Sequence, residues 1–173
     1  MNPRELIFKF VQRRHPRTPR YQSYASSKRI LLLFESDIDE RNLQIKTLAK
    51  QLQEDGKDVS AWGFVNKPEA QSSVLRGYRV TSLRDYNFWQ VPKDYLIQDL
   101  TNERYDLLIN LNMSDCLPLR YLSLYAEADF RAGKQGDPPY LSDFMVDVHE
   151  ESNPAFLFDQ IIHYLKNIQI CQK

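Results

Sequence analysis

Glycine is scarce in this chain, with five in 173 residues, and none follows the first apolar run, RILLLFE (29–35). A loop that cradles nucleotide phosphates needs glycines there, so that backbone N–H groups can reach the anion. The chain instead places Ser36, Asp37, Asp39 and Glu40 after that run. Their carboxylates repel phosphate, which excludes a nucleotide site of that kind. Cysteine is scarcer still. Cys116 and Cys171 are too few for a disulfide framework and have no metal-ligand spacing. Two reduced thiols in a cytoplasmic protein are expected. The three histidines, His15, His149 and His163, share no short spacing with cysteine or with one another. No local motif therefore proposes a metal centre or a Ser-His-Asp triad, and no cofactor is expected. No apolar stretch approaches the ~20 residues that span a bilayer. The opening MNPRELIFKFVQRRHPR is interrupted by Lys9, where a secretory segment would run on.

Net charge is also absent overall, but the charge is segregated. Residues 1–29 hold eight Lys/Arg and a single acid, Glu5. The remaining chain carries 15 bases against 22 acids. A basic arm on an acidic body is an interaction signal. Arg4, Lys9, Arg13, Arg14, Arg17 and Arg20 are its candidate contact residues. Interleaved with His15, Tyr21 and Tyr24, they have the composition that grips RNA. The amphipathic start also suits an anionic membrane surface. The favoured expectation is that the arm's apolar face packs on this protein's own sheet or on a second copy, with the bases complementing the acidic body.

Residues 3–14 have helical spacing, with Leu6, Ile7, Phe10 and Val11 as the apolar face. Pro16 and Pro19 then impose an extended strap. The expected division is a basic helix and linker over 1–28 and one α/β domain over 29–173. RILLLFE and YDLLINL (105–111) are continuous apolar runs, as in strands buried on both faces. Ile45, Leu48, Ala49 and Leu52 mark a helix over 39–55, with Asp37 and Glu40 as a capping box. KDVSAWGFV (57–65) alternates as a strand. A turn of helix is expected around 70–75 and a short strand near 81–85. A weak helix follows Pro92. The 117–129 segment reads as a helix with Leu119, Leu122, Leu124 and Tyr125 inward. Short strands are expected at 130–131 and 144–148. A final helix starts at Asn153 and Pro154, with Phe158, Ile161, Ile162, Leu165 and Ile168 as its core face. The alternation predicts an α/β fold, a Rossmann-like three-layer sandwich with a mostly parallel sheet of about five or six strands.

In such sheets, ligands sit beyond the carboxyl ends of central strands, where strand order reverses. If RILLLFE and YDLLINL are neighbours, the following loops line the site. Ser36 and Asp37 on one side, and Asn112, Ser114 and Asp115 on the other, are the candidate ligand-binding residues. The same residue types also cap helices, which is the competing reading. Cys116, just before a helix, reads as buried packing.

RILLLFESD, YDLLINLN, PLRYLSLYAEADFRAG and NPAFLFDQIIHYL together resemble an uncharacterised family of small bacterial proteins, of Bacteroidetes type, with no assigned function. The resemblance spans nearly the whole chain and implies no activity. Residues 29–133 are also similar to the acceptor-side domain of heptosyltransferase-type glycosyltransferases. The chain lacks that family's Gly-Asp pair after the first strand and has no length for the donor-nucleotide domain. That likeness implies topology and not glycosyl transfer.

The leading functional expectation is a non-enzymatic cytoplasmic binding or scaffold protein acting through a protein partner or a second copy. The alternatives are a small or degenerate enzyme acting on a sugar or another small polar ligand, and RNA or anionic-membrane binding through the arm.

Overall fold

RILLLFE lies in the middle of the sheet and is covered on both sides, which is why its apolar run is unbroken. The computed structural model describes residues 2–37, 40–67, 72–75, 77–149 and 153–168. The helices are α1 (Pro3–Arg13), α2 (Glu40–Glu54), α3 (Asp94–Thr101), α4 (Leu117–Tyr125) and α5 (Pro154–Asn167). The strands are β1 (Arg29–Glu35), β2 (Asp58–Val65), β3 (Ser73–Leu75), β4 (Tyr78–Ser82), β5 (Arg104–Asn110), β6 (Glu127–Lys134) and β7 (Phe144–Val146). Among these residues, no helix is long and apolar enough to cross a membrane.

The seven strands form one sheet in the order β3-β4-β2-β1-β5-β6-β7. β3 pairs antiparallel with β4, and every other pairing is parallel. Strand order reverses between β1 and β5, whose residues Ile30 to Leu33 pair with Leu107 to Asn110. The two runs singled out in the sequence are thus adjacent.

One face of the sheet packs Ile30, Leu32 and Phe34 against Ile45, Leu48 and Leu52 of α2 and Leu157, Phe158, Ile161 and Leu165 of α5. The other face packs Leu31, Leu33 and Leu108 against Leu96 and Leu100 of α3 and Leu119 and Leu122 of α4. Helices flank both faces. α1 forms a further layer on the outer side of α4, where Phe8 is buried among Tyr121, Leu124 and Leu141. Gly63 of β2 permits close packing against β1: a Cβ there would lie 2.5 Å from the Phe34 ring.

Several boundaries differ from the sequence reading. Among the described residues the sheet has seven strands and not five or six, because 73–75 is a strand at the sheet edge where a helical turn was expected. The expected strand near 81–85 is the end of β4 followed by a 3₁₀ turn, Leu83–Asp85. The helix expected over 117–129 ends at Tyr125. Glu127 and Ala128 join the ladder beside Arg104 and Tyr105, so sheet pairing overrides local helical preference. Leu124 faces α1 and not the sheet. Ile168 falls beyond α5 and is 36% exposed, while Leu157 joins the core in its place.

The buried face of α1 is also rotated from the expected one. It centres on Phe8, whereas Leu6 and Phe10 are 50% and 55% exposed. The neighbouring surface explains this. The Phe8 ring stands edge-on to Tyr121 at 4.9 Å and beneath the Arg120 guanidinium at 4.4 Å. Glu5, on the same side, binds Arg120.

The strap follows the body closely. Arg17 forms a two-pronged ion pair with Asp143, at 2.5 and 2.7 Å. The Arg20 N–H donates to the Asp129 carbonyl at 2.8 Å. Tyr21 stands edge-on to Phe130. The Tyr24 hydroxyl donates to Asp55 at 2.7 Å. Lys57 closes the strap's end by donating to the carbonyls of Tyr24 and Ser27 at 2.6 and 2.7 Å. The arm therefore packs on its own body.

Candidate functional site

Beyond the carboxyl ends of β5 and β6 lies a cleft of about 200 Å³. Its wall along β5 is built by asparagines. The Asn110 side chain accepts from the Asn112 N–H at 3.2 Å, and Asn112 Oδ1 accepts from the Ser114 N–H at 3.3 Å. These bonds turn the chain tightly from the strand into α4, with Pro118 in the helix's first turn. Asn112, Ser114 and Asp115 all line the cleft.

The opposite wall comes from the segment that leaves β6. Gly133 is required by a close approach: a Cβ there would lie 2.5 Å from both Asp137 Oδ2 and Ser142 Oγ. This lack of a side chain lets the loop fold back over the strand. Asp137 is thereby carried to the cleft, half-buried, where it accepts from Asn110 Nδ2 at 3.3 Å and from Ser142 Oγ at 3.4 Å. Burial pushes its carboxyl above the usual carboxylate range, and nearby Lys134 and the two hydrogen bonds only partly offset that. Lys134 donates to the Met113 carbonyl at 2.7 Å and ties the two walls together.

Arg120 forms the floor on the α1 side and is only 9% exposed. It donates to Glu5 at 2.8 and 3.1 Å and to the Tyr140 hydroxyl at 2.7 Å. Burial alone would lower its pKa, but these partners hold the guanidinium charged. The cleft therefore presents two cations, two carboxylates, two amides and a hydroxyl.

A second cleft of about 210 Å³ lies at the ends of β1 and β2, lined by Glu35, Asn66, Asp115, Cys116, Arg4 and Glu5 among others. Asp115 borders both clefts. Burial pushes the Cys116 thiol up to about 12, so the protonated form is favoured at neutral pH.

Of the sequence candidates, Asn112, Ser114 and Asp115 come together at the first cleft. Ser36 and Asp37 lie elsewhere. The Ser36 hydroxyl donates to Asn42 at 2.8 Å, and Asp37 accepts the Arg41 N–H at 2.9 Å, so both serve the start of α2. Asp39 lies outside the described residues. Among the arm bases, Arg17 is committed to Asp143, Arg4 lies 5.7 Å from the Phe88 ring and Arg14 stacks over Phe10 at 4.2 Å. Arg13 and the Arg20 side chain are exposed, as is Lys9. Among the described residues, no three His, Cys, Asp or Glu side chains gather as a metal site.

Residues 5–168 match the model of a family described as "Family of unknown function (DUF6913)". The chain belongs to this family. No curated protein and no solved structure matches it. Both walls of the first cleft and its floor fall within the family's span.

Lys134, Asp137 and Arg120 went unseen in the sequence reading. Asp137 lies in GKQGDPP (133–139), whose glycines and prolines signal a turn and give no hint that the turn folds inward. The one usable signal was Gly133 at the end of a strand, where a missing side chain marks a close approach.

Proposed function

We propose that the protein binds a small polar molecule in the cleft beyond β5 and β6, acting as a cytoplasmic binding protein. The observation that carries this reading is Asp137, delivered by the fold-back at Gly133 to face Asn110 and Lys134. A half-buried carboxyl beside amide and ammonium groups supplies donors and acceptors in a small volume. Charge balance in the lining favours an uncharged or zwitterionic ligand, with a sugar first among the candidates. The order of the six parallel strands supports a Rossmann-like description, in which this end of the sheet is the ligand-binding end. The buried Cys116 thiol, outside any disulfide, supports a reducing compartment.

The test is a thermal-shift and calorimetric screen of monosaccharides, polyols and amino acids on the full chain. A saturable shift for one of them, lost in Asp137→Asn and Asn110→Ala, is the expected result. Binding that survives both substitutions, or a screen with no saturable ligand, overturns the reading.

A second reading rests on a different observation, the outward placement of Leu6 and Phe10 on α1 beside Arg13 and the C-cap residue Arg14. An apolar pair flanked by cations suits the surface of an anionic bilayer. Co-sedimentation with phosphatidylserine vesicles at low salt is expected, lost on Leu6→Ser with Phe10→Ser. Retention on RNA and not on vesicles would replace the bilayer reading with a nucleic-acid one.

A further inference from the structure

At the opposite end of the sheet, the strap, the ends of α3 and α4 and the start of β6 enclose another cleft, of about 350 Å³. Arg14, His15, Arg17, Thr101, Tyr125 and Arg131 are among the residues that line it. Its chemistry is set by Arg131, which is 2% exposed. A guanidinium carries five N–H donors and is seldom buried without matching acceptors. Arg131 Nη2 donates to the Ala126 carbonyl at 3.0 Å, whereas Nε and Nη1 are buried with no hydrogen-bond partner.

Charge at this place is unbalanced as well. Arg17 lies close enough to Arg131 to weaken its protonated form. Asp143 is hydrogen-bonded to both residues and is occupied: it takes both prongs of Arg17 and the backbone N–H of Arg131. Glu127, on the rim, is exposed and favours the charged form of Arg131 less than Asp143 does. Burial first, and Arg17 second, pull the Arg131 pKa down to about 10, so the side chain stays charged at neutral pH. Arg14 and His15 stand exposed at the mouth, with His15 held by the Val11 carbonyl at 2.9 Å and edge-on to Tyr125 at 4.9 Å.

We propose that this cleft is an oxyanion site, in which Arg131, Arg17 and Arg14 hold phosphate or the phosphoryl group of a phosphomonoester. The Arg17 guanidinium takes up the Asp143 carboxylate, and the Arg131 guanidinium beside it has no carboxylate hydrogen-bonded to it, which leaves a positive surplus. The unpaired Arg131 donors are of the type that binds phosphoryl oxygens through charge-assisted hydrogen bonds. With Arg14 at the mouth as a third cation, a dianion matches the lining more fully than a monocarboxylate does. The site lies at the other end of the sheet from the Asp137 cleft and stands independently of the reading given for it.

Isothermal titration and ³¹P line broadening on the full chain test it, with inorganic phosphate and glucose 6-phosphate as probes. Glucose and sodium chloride at matched ionic strength are the controls. Saturable binding of either phosphorus probe, weakened at least tenfold by Arg131→Met and by Arg14→Ala but unchanged by Asp137→Asn, supports the site. Tighter binding of the ester assigns a phosphorylated metabolite, and equal or tighter binding of phosphate assigns the free ion. Where Arg131→Met fails to fold, the exposed positions Arg14→Ala and His15→Ala carry the test. No saturable binding by the wild-type chain, or binding indifferent to the substitutions at this cleft, overturns the proposal.

Discussion

The carboxylate of Glu5 grips the guanidinium of Arg120 with both oxygens, at 2.8 and 3.1 Å. This pair fixes the rotation of α1 and holds Arg120 in the floor of the first cleft. Removing Arg120 strands Glu5 and takes the cation from the Phe8 ring. Arg120→Ala is expected to destabilise by about 2–4 kcal/mol in urea unfolding. Glu5→Gln, at a half-exposed partner, should cost about 1 kcal/mol. Protease access to residues 3–13 should rise in both.

Gly133→Ala forces a methyl against Asp137 and Ser142. The loop must shift, at a cost of about 1–3 kcal/mol. The same variant should lose any ligand of the Asp137 cleft, because the carboxyl moves with the loop. Full binding with unchanged stability would refute the close-approach argument.

Lys57→Met leaves the carbonyls of Tyr24 and Ser27 without their ammonium donor. About 1–3 kcal/mol of stability should go with it. Hydrogen exchange at residues 24–28 should accelerate more than exchange in β1.

Two carboxyls, the half-buried Asp137 and the buried Asp85, should give opposite pH signatures. Asp137 titrates above its unfolded value near ~3.9. Its protonated form is favoured in the fold, so its contribution is fully present below that value and is lost as pH rises through the folded pKa. Asp137→Asn should therefore be the more stable protein at neutral pH. For Asp85, burial pushes upward, but hydrogen bonds from Ser72, Tyr95 and the Ser82 N–H prevail and hold the carboxyl below the usual range. Its contribution is present above ~3.9 and is lost as pH falls through the folded pKa. Asp85→Asn should destabilise at neutral pH and converge with wild type in acid. Urea midpoints across pH 3 to 8 read both signs.

β1 and β5 were legible because strands covered on both faces need no polar alternation, and RILLLFE and LLIN have none. The faces of α2 and α5 were nearly as plain, since both helices rest on an aliphatic surface. α1 was misread because its partner surface is aromatic and charged. Phe8 and Glu5 answer Tyr121 and Arg120, and a count of apolar positions favours Leu6 and Phe10 instead. The cleft was half legible. Asn112, Ser114 and Asp115 follow a recognisable strand, but Asp137 arrives through a loop whose path depends on Gly133. Arg131 carried no signal, because in sequence a buried arginine looks like an exposed one.

β7 pairs only with residues 132–134 of β6, so the first half of that strand would present an open flank. Arg20 covers part of it through its bond to Asp129, and Arg17 and Asp143 clasp beside it. The strap thus works as a guard against self-templating: a chain shortened to residue 29 would bare a strand edge for other copies to extend, and size-exclusion chromatography would find it in larger assemblies.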